Sequence, residues 1–198
     1  VSSSRSPLLR SAFALMGESR YTHAALVIED AGELKVLESD RRLGGVRLVG
    51  LQTFLDQTDE YGEPLWVLDP GSITNRQSAA ITRFALAQSG KKYSPLRDLF
   101  YAAFSGPLVK RPIKVVEELN PDEWFCSEVV VRCLQTADLV PHLNAETTTP
   151  RDLMKECLGR QWRKPQRWRR GRYQFPVLNR SEARLRSGFS FRAQDSNY

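Results

Sequence analysis

Residues 21–40 constrain the fold more than any other stretch. Tyr21–Asp30 (YTHAALVIED) and Leu34–Ser39 (LKVLES) both read as strands, with Ala31-Gly32 as the turn between them. Two such runs so close together can pair only as an antiparallel hairpin. With Ala31-Gly32 as the loop, Asp30 faces Glu33, Val27 faces Val36, Ala25 faces Glu38 and His23 faces Asp40. Side chains alternate along a strand, so His23, Ala25, Val27, Val36, Glu38 and Asp40 share one face. His23 and Glu38 are then diagonal neighbours, with Cα atoms roughly 7–8 Å apart. Asp40 is the rival partner for the imidazole. A slip of one residue in the turn would put His23 and Glu38 on opposite faces.

A second stretch, Trp124–Ala137 (WFCSEVVVRCLQTA), has helical periodicity. Val129, Val130, Cys133, Leu134 and Ala137 follow Cys126 at offsets of 3, 4, 7, 8 and 11, the apolar stripe of a helix packed on a core. Cys126 falls in the first turn, where unpaired N–H groups and the helix dipole favour thiolate. It is a candidate nucleophile. The structural alternative is a small core residue, as Cys133 on the same face reads.

Around these two stretches the chain predicts a short helix over Pro7–Met16, a third strand at Val46–Leu51 and a helical turn at Gln52–Gln57. Leu65–Leu68 reads as a buried strand and Asn75–Gln88 as a helix stopped by Gly90, with Lys91-Lys92 just beyond it. A helix from Pro95 to about Phe104, an irregular stretch from Gly106 to Pro121 and a capped helix within Thr147–Leu158 with Pro150 in its first turn complete the body. The chain is read as α+β.

Three cysteines, Cys126, Cys133 and Cys157, form neither an even disulfide set nor a CxxC metal pair, so reduced thiols and no metal or cofactor are expected. No run approaches 18 apolar residues. The sequence begins at Val1 without a signal peptide, which leaves the compartment open.

Only two histidines are present. His142 follows Val140-Pro141 in a stretch that reads as a surface loop. His23 begins an apolar strand and shares a face with a carboxylate. Cys126, His23 and Glu38 therefore offer a nucleophile, a base and an orienting group. YTHAALVIED, KVLESD and GVRLVGLQTFL, then GKKYS, then FCSEVVVRCL, resemble the circularly permuted branch of the NlpC-type papain-like cysteine hydrolases, the YiiX-like proteins. In that branch the His strand comes first and the Cys helix last, as here. The resemblance implies a permuted papain-like fold, an antiparallel sheet or small barrel packed against the helix carrying the cysteine. It implies His23 as base, Cys126 as nucleophile, Glu38 as orienter and Tyr93 as an aid to positioning or to the oxyanion. It also implies a bacterial hydrolase of the cytoplasm or cell envelope acting on a cell-wall peptide, another amide or a lipid ester. Two departures are visible: Phe125 stands where unpermuted relatives often have Asp, and the GD-containing strand usual ahead of the first helix is missing or truncated.

The resemblance covers roughly residues 10–158, which divides the chain into a hydrolase domain, 1–158, and a basic, aromatic extension, 159–198. Residues 160–198 carry eleven Arg and Lys against Glu182 and Asp195, whereas residues 1–159 have a net charge of −3. Trp162, Trp168 and Tyr173 interleave with the arginines. Such a segment covers the domain edge, FPVL at 175–178 reading as an edge strand, or docks on an anionic partner, nucleic acid or membrane surface. An inert papain-like body that binds through this tail is the second reading of the chain.

Overall fold

The computed structural model describes residues 21–60, 65–68, 70, 73–94, 123–160, 162, 166–167 and 189–193. Its strands are β1 (Tyr21–Asp30), β2 (Glu33–Asp40), β3 (Gly45–Gly50), β4 (Leu65–Leu68), β5 (Lys92–Tyr93), β6 (Glu123–Trp124), β7 (Gln166–Arg167) and β8 (Phe189–Ala193). Its helices are α1 (Leu51–Glu60), α2 (Asn75–Gln88), α3 (Cys126–Gln135) and α4 (Pro150–Gly159). The helices expected at 7–16 and 95–104 and the edge strand at 175–178 lie outside the described residues.

The hairpin forms in the expected register, with Ala25 opposite Glu38, Val27 opposite Val36 and Asp30 opposite Glu33. Its turn has positive φ at both central residues, 52° at Ala31 and 82° at Gly32. That twist matches the strands it joins, and it makes Gly32 the natural second turn residue. A short 3-10 turn at Arg41–Leu43 then returns the chain as β3, which pairs Glu38 with Arg47 and Asp40 with Gly45.

The sheet order is β6-β5-β3-β2-β1-β8-β4-β7. Five strands, β3, β2, β1, β8 and β4, make its curled half-barrel body, and two-residue strands extend both ends. The sheet is mixed, not wholly antiparallel as expected, because β5 and β6 run parallel. The C-terminal segment enters the body itself: β8 lies between β1 and β4, pairing antiparallel with both.

Alternation buries both faces of the hairpin. Ala24, Leu26, Ile28 and Leu37 join the larger core with Ile81, Ala85, Val129, Val130, Leu134 and Leu153. That is the face on which α2, α3 and α4 pack. Ala25, Val27 and Val36 face the other way, against Phe54 and Leu55 of α1 and Leu65. α1 is longer than the helical turn expected at 52–57, since Phe54, Leu55 and Thr58 are all buried. Leu26, Leu37, Leu134 and Leu153 are essentially inaccessible, and each contributes about 1.5–3 kcal/mol relative to exposure.

α2 runs from Asn75 to Gln88 as expected, under a capping box in which Thr74 and Gln77 satisfy each other's backbone N–H groups. α4 starts with Thr149 as N-cap and Pro150 in its first turn. Gly45 is fixed by close approach: a Cβ there would sit 2.2 Å from the Lys91 carbonyl oxygen. That approach docks β5 on β3, with the Val46 N–H donating to Lys91 O at 2.8 Å and the Tyr93 N–H to Gly44 O at 3.2 Å.

Candidate functional site

Four polar side chains form a chain across β1, β2, β3 and α1. His23 Nε2 lies 3.1 Å from Glu38 Oε2. Arg47 donates to the other oxygen, Oε1, through Nε at 2.9 Å and Nη2 at 2.5 Å. Its Nη2 also donates to Gln57 Oε1 on α1 at 2.7 Å. Glu38 is completely buried and the His23 side chain is 13% exposed. A buried carboxylate needs a partner to stay ionised. Arg47 supplies one, and removing one member of such a pair typically costs about 3–5 kcal/mol.

Asp40, the rival carboxylate, is committed elsewhere. It caps the 3-10 turn by accepting the Arg42 N–H at 2.7 Å, and it accepts from Arg42 Nη2 at 3.0 Å. Burial pushes its carboxyl upward, but the hydrogen bonds from Arg42 and the charge of His23 outweigh this and hold it below the usual aspartate value.

His23, Glu38 and Asp40 also bring ligand atoms within 4.8 Å of one another, the one such group among the described residues. Both carboxylates, however, already face a guanidinium. The two acids and two arginines cancel in charge, which leaves little attraction for a divalent cation.

The second half of the site is the start of α3. Its N-cap, Phe125, has no side-chain oxygen to offer the first turn. Only the reverse half of a capping box forms, Glu128 Oε2 accepting the Phe125 N–H at 3.4 Å. No N-cap side chain covers the first-turn N–H groups. Cys126 is 2% exposed but belongs to neither apolar core cluster. Cys133 and Cys157 both belong to the larger one. Burial pushes the Cys133 thiol well up, and burial first, then the Glu156 charge, pushes Cys157 up to about 12.

Tyr93 stands beside this helix start. β5 pairs Tyr93 with Trp124, and the Tyr93 and Phe125 rings lie 6.2 Å apart at 51°. Trp124 anchors the approach: Lys91 Nζ sits 5.2 Å over its ring, and Phe84 meets it edge-on at 6.2 Å. Ser39, between Glu38 and Asp40, donates to Trp124 O at 2.7 Å. The Ser94 N–H donates to the same oxygen at 3.3 Å.

Of the residues singled out from sequence, His23 and Glu38 are joined directly, and Cys126 and Tyr93 share one edge. The two halves do not share a sheet face. His23 and Glu38 lie on the face of α1, and the stripe of α3 packs on the other. They converge at one end of the sheet, where β2 closes at Asp40, β5 meets Gly44 and α3 begins. His142 is exposed in a loop, as expected. Arg47 and Gln57 were not singled out. The signal for Arg47 was a mirror pairing about residues 41–44, which sets it opposite Glu38.

No protein-family model, no curated protein and no solved structure matches the chain.

Proposed function

We propose that this protein is a cysteine hydrolase of the permuted NlpC-type papain-like kind, acting by acyl transfer to water. The observation that carries the reading is the 3.1 Å contact between His23 Nε2 and the buried Glu38. It fixes the imidazole at the strand end that Ser39 ties to the segment leading into Cys126. With Nε2–H donated to Glu38, Nδ1 is the basic atom of the ring.

The chemistry is then a sequence of balanced steps. The Cys126 thiol gives its proton to His23 Nδ1, and the sulfur attacks the substrate carbonyl carbon. The oxyanion that forms accepts hydrogen bonds from first-turn N–H groups of α3, with Tyr93 beside it. His23 then protonates the leaving amine or alcohol as its bond to carbon breaks. Next His23 takes a proton from water, whose oxygen attacks the acyl carbon; the carbon–sulfur bond breaks, the acid is released, and His23 returns the proton to the Cys126 sulfur. Substrates of this reading are a peptide, another amide or a lipid ester, met at the sheet end where the two halves converge.

The alternative, an inert body that docks through its basic tail, has less support. Trp162 is buried against the core and residues 189–193 form a strand of the sheet body, so these parts of the tail have structural work.

The test is turnover on a panel of peptides, amides and acyl esters by wild type, Cys126→Ala and His23→Ala, with circular dichroism as a folding control. Hydrolysis lost in both folded variants is the expected result. Turnover that survives Cys126→Ala removes the proposed nucleophile.

A further inference from the structure

The hydrogen-bond chain through Glu38 does not end at the histidine–carboxylate pair. Arg47 donates through both Nε and Nη2 to Oε1, the oxygen that His23 does not use. Gln57 holds the same guanidinium from α1. The position is partly buried, with 28% of the Arg47 side chain exposed and none of Glu38. A fixed cation on one oxygen and an imidazole on the other make a three-member unit whose total charge depends on one proton.

We infer that Arg47 is a positioning residue that sets the protonation state of the Glu38–His23 pair. Its guanidinium keeps Glu38 ionised and aims Oε2 at the ring. Its positive charge also opposes a second positive charge on His23 nearby. The carboxylate thereby orients the imidazole while the guanidinium opposes an extra proton on the pair. Without Arg47, the ionised carboxylate would act on the imidazole unopposed, and the ring would hold its second proton to higher pH. This inference rests on the reading of His23 as the base.

Other charged and titratable groups among the described residues bear on His23. Asp40 on β2 favours the imidazolium, and Arg42 offsets it. From β8, Arg192 is the backbone partner of His23. Among the described residues, Cys126 and Glu128 in the first turn of α3 and Tyr93 on β5 also lie toward this end of the sheet. Of the cations on β2, β3 and the turn between them, Arg47 is the one bonded to the carboxylate that touches the ring.

The test reads the pair directly and needs no substrate. Protein labelled with 15N-histidine is titrated by NMR, and the ring nitrogens of His23 are followed. His142, exposed and remote in the fold, is the internal reference, and His142→Gln assigns the two sets of signals. Arg47→Gln is expected to raise the His23 midpoint by about one pH unit, roughly a tenfold gain in proton affinity of the pair, with His142 unmoved. Arg47→Lys, which keeps a charge but not the paired donors, should fall between wild type and Arg47→Gln. Gln57→Leu, which frees one anchor of the guanidinium, should move the midpoint upward by less and serves if Arg47→Gln does not fold. A midpoint unmoved or lowered in Arg47→Gln, or in Gln57→Leu if that is the folded variant, overturns the inference. An upward shift in a protein without hydrolytic activity would leave the inference standing while the hydrolase reading fails.

Discussion

Cys126 and Cys133 lie seven residues apart on the same stripe of the same helix, yet their surroundings are opposite. Cys133 sits among Leu26, Leu134 and Leu153 in the larger core, where burial pushes its thiol upward. Cys126 occupies the first turn, outside both apolar clusters, beside Phe125 and Tyr93 and at the sheet end that holds His23. Helical spacing puts both thiols on a buried stripe. What separates them is position: Cys133 lies inside the apolar core, whereas Cys126 lies in the first turn, at the positive end of the helix dipole.

The widest separation between the two cysteines should appear in turnover. Cys126→Ala should lower hydrolysis by about a thousandfold or more, as loss of a nucleophile does, with the circular dichroism spectrum intact. Cys133→Ala should leave kcat/KM unchanged and lower unfolding stability by about 1–2 kcal/mol through the cavity it leaves. Equal loss of activity in both folded variants would erase the distinction.

The carboxylates sharpen the same contrast at the histidine end. Glu38→Gln should reduce kcat by roughly ten- to a thousandfold, less than loss of Cys126, because an orienting group is less costly to lose than the nucleophile. Asp40→Asn should cost less than Glu38→Gln, since Asp40 is held by Arg42 and caps a turn. The reverse order in measured kcat would hand the orienting role to Asp40.

Much of this was legible in the sequence, and the failures have physical causes. The hairpin register followed from a two-residue turn and strict alternation, both local. α2 was readable from its apolar spacing and the Gly90 stop, and α4 from its polar cap and Pro150, again local signals. The parallel β5–β6 pair rests on two-residue strands, too short to carry a period. β8 between β1 and β4 is a long-range pairing set by tertiary packing, so Phe189–Ala193 read only as part of a basic tail. The sharing of a face by His23 and Glu38 was visible, but the opposite face taken by α3 was not, because both faces of the hairpin are apolar. Arg47 was hidden by its type, since an arginine in a strand reads as a solvated residue until the second turn is counted.

A smaller effect is expected at alkaline pH. Thiols held protonated by burial take up no charge in the folded state, whereas the unfolded chain ionises near pH 8.5–9. Above that pH the unfolded state binds fewer protons, so stability falls as pH rises, until the folded thiol titrates. Cys157, pushed up to about 12, and Cys133 should each contribute a loss approaching about 1.4 kcal/mol per pH unit between pH 9 and 11. Urea unfolding of Cys133→Ala and Cys157→Ala across that range should show a shallower decline than wild type. An unchanged slope would contradict the burial of these thiols.

The central claim is that Cys126, and not its helix neighbour, is activated by His23. The most direct measurement is the rate at which a small thiol-directed reagent modifies each cysteine of the folded protein at neutral pH, resolved by peptide mass. Cys126 should be modified fastest, with Cys133 and Cys157 protected, and His23→Ala should slow Cys126 by about tenfold or more while leaving the other two unchanged. A Cys126 rate equal to that of Cys133, or one indifferent to His23, would contradict the account.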